Sequence, residues 1–230
     1  MCKAFSCLVL PNKKVIWKFA KDSHEDLIQI AKLKDDTLDP SRMTFARCEI
    51  SPANNNYLKP DEWKFHLDES IKPAWFTQDH EKACNGAWTN WKKHLDKILI
   101  YKEIINPFKI VPPTEITQNH LKLLKQWDSV RDSVWASVRA SVRDSVWASV
   151  RASVRDSVWA SVGASVEGYM GSFFKLPRKN WEYTEKIKTK GYPFQPAIDL
   201  WEMGLVPSFD GKIWRLHGGE KAKILWEGQV

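Results

Sequence analysis

Between Trp127 and Glu167 the chain repeats a four-residue unit, Asp/Ala-Ser-Val-Arg/Trp, ten times without interruption. A twelve-residue super-repeat, DSVWASVRASVR, occupies residues 132–143 and returns letter for letter at 144–155, with a decaying third copy at 156–167. Such a period dictates architecture before any other feature can be read. Identity even at solvent-facing positions points to recent tandem duplication rather than to a site tuned residue by residue.

Two structures compete for this tract. In an α-helix each unit advances about 400°, so a valine stripe drifts roughly 40° per unit along a rod about 60 Å long. Arginine and tryptophan then share one stripe, Arg131, Trp135, Arg139 and again Arg143, Trp147, Arg151, where guanidinium groups can stack on indoles. In a β-solenoid of three four-residue sides per turn, valine and serine have suitable propensities. That turn crowds three inward valines and stacks Asp132, Asp144 and Asp156 in one column. The helix is favoured and the solenoid is the alternative. A helix so rich in serine and valine is marginal alone, so it is expected to pack on the protein body or on a second copy of itself.

The 230 residues are 43% hydrophobic with 13 tryptophans, enough for a buried core. No apolar run reaches the roughly 18 residues of a membrane span, and the N-terminus reads as a first strand rather than a signal peptide. Four cysteines without a C-x-x-C pair suit a reducing cytoplasm. The net charge of +7 permits nucleic-acid binding without requiring it.

Around the repeat the pattern is α+β. Residues 4–10 and 14–19 read as a hairpin, 43–50 and 63–67 as strands, and the segment after Asp22-Ser23 as a short capped helix through Leu33. Helical spacing runs over 78–101, and Thr114 is a cap for a second helix leading into the array. Gly163, Gly168 and Gly171 loosen the chain after the repeat. Residues 196–203 read as a helix, and 205–209, 212–217 and 222–227 as a three-stranded meander. The expected organisation is an N-terminal α+β part over 1–113, a helix and array over 114–168, and a basic aromatic segment with meander over 169–230. A small antiparallel sheet body built from both chain ends would then carry the repeat as an insertion.

Chemistry is sparse. Removal of Met1 would expose Cys2 as an N-terminal nucleophile with its own amine as base. His24 sits where an exposed capping-turn histidine is expected. His217 before Gly218-Gly219 lacks the Gly-x-Ser-x-Gly elbow that an esterase loop of that kind needs. Cys2, Cys7, Cys48 and Cys84 have no spacing that marks a metal site, and no cofactor fingerprint is present. The segment 175–194 is the candidate single-strand nucleic-acid surface: Lys175, Arg178, Lys179, Lys186, Lys188 and Lys190 interleave with Trp181 and Tyr192, pairing cations for phosphates with rings for bases.

The Met1-Cys2 opening resembles class II glutamine amidotransferases and abasic-site-trapping proteins, with Lys3 where both usually have glycine. On a wider scale, MCKAFSCLV, the array and YPFQPAIDLWEMGLVPSFDGKIWRLHGG resemble a family of uncharacterised bacteriophage and environmental proteins with this tetrapeptide repeat. That resemblance implies a phage-type protein of the host cytoplasm with an array of variable length, and carries no catalytic residue. The leading expectation is a non-enzymatic accessory protein that self-associates or binds a protein or nucleic-acid partner through the array, away from membranes. The alternatives are a Cys2 enzyme acting on an amide or a nucleic-acid lesion, and a single-strand binder using 175–192.

Overall fold

A computed structural model describes residues 5–19, 21–35, 37–53, 56, 58–142 and 163–230. Cys2 and the array from 143 to 162, with Arg143, Trp147 and Arg151, lie outside them. The fold is α+β and divides into two compact units, Met1–Ile98 and Leu99–Val230. The first and last strands of the chain form two separate antiparallel sheets, one in each unit.

The first unit contains β1 (Phe5–Val9), β2 (Val15–Ile16), α1 (His24–Ala31), β3 (Ala46–Ser51), β4 (Lys64–Leu67) and α2 (Gln78–Ile98), with sheet order β2-β1-β3-β4. All five residues of β1 are buried, because helices cover both faces of the strand. On one face Phe5, Cys7, Val9, Cys48 and Ile50 pack with Cys84 of α2, Phe76 and a ring of tryptophans. Trp63 stacks on Trp88 at 4.9 Å and Trp88 on Trp91 at 5.1 Å. On the other face Leu8, Leu27 and Phe45 join α1 to the sheet. Ser23 caps α1 by accepting the Asp26 N–H, and Lys32 closes it in the left-handed conformation, φ 54°.

The second unit contains α3 (Gln118–Ser141), α4 (Gly163–Gly171), α5 (Gln195–Glu202) and the meander β5 (Val206–Phe209), β6 (Trp214–Gly218), β7 (Lys223–Gly228). Its core is aromatic: Tyr169 stacks on Trp201 at 4.8 Å, and Trp127 meets Phe194 edge-on. Both polar tips are satisfied by the backbone of one residue, since the Ile105 N–H donates to Tyr169 Oη (2.7 Å) and Trp201 Nε1–H donates to the Ile105 carbonyl (2.9 Å).

Helices α2 and α3 start on the same local motif. In Thr77-Gln78-Asp79-His80 and Thr117-Gln118-Asn119-His120, the histidine Nδ1 accepts the threonine N–H, at 3.1 and 3.0 Å. Histidine thus fills the reciprocal position that glutamate or glutamine takes in a capping box. The cap of the array helix is Thr117, not Thr114, because only Thr117 has this partner three residues on.

The described array is helical at both ends, over 127–141 in α3 and 163–167 in α4. His120, Leu124, Trp127, Val130, Val134 and Val138 form the buried face of α3. Of the glycines in α4, Gly171 acts differently from the expected loosening. A β-carbon on Gly171 would lie 2.1 Å from Tyr192 Oη and 3.1 Å from Val138, so this glycine is a contact point between chain segments. Val134→Ala is expected to cost about 2 kcal/mol for the lost burial and the cavity. Trp135→Ala, one residue on and half-exposed, should change stability by less than about 0.5 kcal/mol. Urea denaturation of the two variants reads the contrast.

Candidate interaction surface

The array helix has two kinds of outward group. Arg131 turns back onto its own unit, with its guanidinium 4.7 Å from the Phe209 ring and 5.4 Å from Trp214. Asp128 accepts the Trp214 Nε1–H at 3.2 Å, so the first repeat unit is tied to the meander. One turn further on, Trp135 is 52% exposed and Arg139 lies 5.0 Å over its ring. The i,i+4 stacking expected along the stripe is therefore present at Trp135–Arg139, while Arg131 stacks on β5 and β6.

The basic aromatic segment sorts itself into rings inward and lysines outward. Trp181 is 3% exposed and meets Tyr192 edge-on at 5.1 Å. Tyr192 Oη donates to the Gly168 carbonyl, and burial pushes its phenol well above the ordinary range. Arg178 is consumed as a staple: it donates to the carbonyls of Thr189 (3.2 Å), Thr184 (2.7 Å) and Ile187 (2.8 Å), and to Thr184 Oγ1. Lys175, Lys179, Lys186, Lys188 and Lys190 are exposed. The structure thus brings Trp181, Tyr192 and Arg178 together as packing, apart from the cations that were to share a strand with them. Lys186 and Lys188 do line a groove of about 520 Å³ with Gln126, Ser129 and Asp199.

Three further clusters have chemical potential. Lys102 donates to Ser172 Oγ at 2.8 Å and lies over the Phe173 and Tyr169 rings, beside a cavity of about 280 Å³; burial lowers its ammonium pKa. Ser172 spends its own proton on the Tyr169 carbonyl (2.6 Å), so the pair works as a clamp. His217 Nδ1–H donates to the Ala222 carbonyl (3.1 Å), which leaves Nε2 to accept from Ser208 Oγ at 2.7 Å. That is the order of a nucleophile, base and orienter. Ser208 lies in the edge strand β5, opposite Arg215 of β6, so the pair is built into the meander.

The third cluster is in the first unit. Cys7 Sγ and Cys84 Sγ are 3.4 Å apart, with Cys48 opposite Cys7 in register, and all three thiols are buried and unpaired. Hydrogen bonds to Cys48 and Cys84, then burial, push the Cys7 thiol up, while hydrogen bonds from Cys48 and Cys7 favour charge on Cys84. On the reverse face of the same strand pair, His24 is 6% exposed rather than exposed at a capping turn, and its neighbours are Glu49 and Asp68. Nothing in local sequence joins these three residues. The available signal was parity: Glu49 and Asp68 fall on the strand face that α1 covers, and His24 is the first residue of α1.

No protein-family model, curated protein or solved structure matches the chain. Among the described residues no helix is long and apolar enough to cross a membrane.

Tyr192 gives the second unit a pH signature. Its folded pKa is raised above the unfolded value of about 10. The associated stability is therefore fully present below that value and is lost as pH climbs toward the folded pKa. Unfolding free energy should fall more steeply above pH ~10 than in Tyr192→Phe, measured by denaturant melts across alkaline pH.

Proposed function

We propose that this chain is a non-enzymatic accessory protein, of the phage type its repeat resembles, whose array associates with a second copy of the chain. The observation that carries the reading is the Trp135–Arg139 pair. It stands on a helix whose adjoining face, Val130, Val134 and Val138, is buried in the core. A rigid helix presenting a half-exposed indole with a guanidinium stacked on it has the composition of an interface anchor, since tryptophan and arginine dominate the energetics of protein contacts. The sequence writes the same Trp-x-x-x-Arg pair again at Trp147 and Arg151. A reducing cytoplasm suits the three unpaired thiols, two of which lie within 3.4 Å of one another.

Sedimentation velocity across a concentration series tests this. The intact chain should sediment as a dimer or larger species. Trp135→Ala with Trp147→Ala, and separately removal of residues 144–155, should shift it toward monomer with an unchanged circular dichroism spectrum. A monomeric intact chain at concentrations well above micromolar would reject self-association.

A further inference from the structure

We infer that His24, Glu49 and Asp68 form a binding site for a first-row divalent cation, with Zn²⁺ the best-fitting ion. The site belongs to the first unit and is independent of the array. Three separate elements supply it: His24 opens α1, Glu49 lies in β3, and Asp68 directly follows β4. Glu49 is opposite His66 in register, and the Asp68 N–H continues the pairing by donating to the Arg47 carbonyl at 2.9 Å. Period-two alternation therefore puts Glu49 and Asp68 on one face of the sheet, under the start of α1. One ligand atom from each residue lies within 4.8 Å of the other two.

The histidine is prepared for this role. Its Nε2 is 3.2 Å from the Cys48 carbonyl oxygen, which can only accept, so the ring proton is on Nε2. The remaining nitrogen, Nδ1, points at Asp68 Oδ2, 3.2 Å away. A backbone carbonyl that fixes the tautomer and turns the other nitrogen toward carboxylates is the usual outer support of a metal-bound histidine. Two carboxylates and an imidazole lone pair converging beside a buried ring call for positive charge.

Among the nearby basic side chains, His66 faces Glu49 across the strand pair, whereas Arg47 and Lys21 are spent elsewhere. Arg47 is engaged by both Glu69 oxygens at 3.1 Å and by Asp35, and Lys21 by Asp26 at 2.7 Å. Asp22, two residues before His24, has a buried carboxylate oxygen with no hydrogen bond among the described residues.

A mixed nitrogen and oxygen set selects zinc or a neighbouring transition ion over calcium and magnesium, which take oxygen ligands. Three protein ligands leave one position of a tetrahedral ion for water. Asp68, with its side chain 58% exposed, gives that position access to solvent.

The competing site is the thiol cluster one strand face away, so the test separates the two. The full chain, freed of metal with a chelator, is titrated with Zn²⁺ by calorimetry and with Co²⁺ by absorption spectroscopy. Expected are one equivalent of Zn²⁺, a raised melting temperature, and cobalt d–d bands without thiolate charge transfer. Asp68→Asn, at an exposed position that should not disturb folding, is expected to weaken binding by about 10-fold or more, while Cys84→Ser leaves it unchanged. No binding by the intact chain overturns the inference. So does thiolate charge transfer that survives Asp68→Asn and disappears in Cys84→Ser.

Discussion

A repeat of four residues set on a helix of 3.6 residues per turn governs the second unit. Each unit rotates the valine stripe by about 40°, so from Val130 to Val142 it turns through roughly 120°. A core-facing stripe on a globular helix is little wider than about 100°. Val130, Val134 and Val138 use that arc, and Ser137 is drawn into it as the stripe moves round. Helix α3 then ends at Ser141, and Val142 is buried as an extended residue, φ −114° and ψ 140°. Upstream, the buried residues His120, Leu124, Trp127 and Val130 are four, three and three residues apart, which keeps them on one side of the helix. Trp127 is thereby aimed at Phe194, and Val138 reaches the surface that Gly171 leaves open.

The first unit depends on a different parity. Adjacent residues of β3 look in opposite directions, so Cys48 joins a layer of thiols and indoles while Glu49 joins a layer of carboxylates and imidazole. Cys48 serves both, with its thiol on one side and its carbonyl orienting His24 on the other. A single-residue step along β3 separates two chemistries that would interfere if mixed.

Periodic features were legible from sequence and convergent ones were not. The alternation of β3, the hairpin around Pro11, the short helix behind Ser23 and the C-terminal meander were all written in local pattern. Crowded inward valines and a stacked aspartate column told against the solenoid, and the array is helical where it is described. Caps were harder: Thr114 and Thr117 look alike until His120 is recognised as a reciprocal acceptor. The basic aromatic segment misled because composition does not say which way a ring faces. Trp181 and Tyr192 turn inward, and Arg178 is drawn to three carbonyls that only the folded loop brings together. Glycines gave no sign that Gly171 abuts Tyr192. His24, Glu49 and Asp68 are separated by 25 and 19 positions, so only strand register could assemble them.

Among the described residues of the array, Val142 is buried before residues 143–162, and Ser165 and Val166 are buried after them. Replication slippage between the identical copies at 132–143 and 144–155 adds or removes whole dodecapeptides, and one such loss leaves every letter of α3 and α4 as it was. Genetic instability, ordinarily ruinous inside a folded domain, is here confined to increments that spare the core's own alphabet. A change of array length by one whole dodecapeptide would thus keep the letters of both described helices.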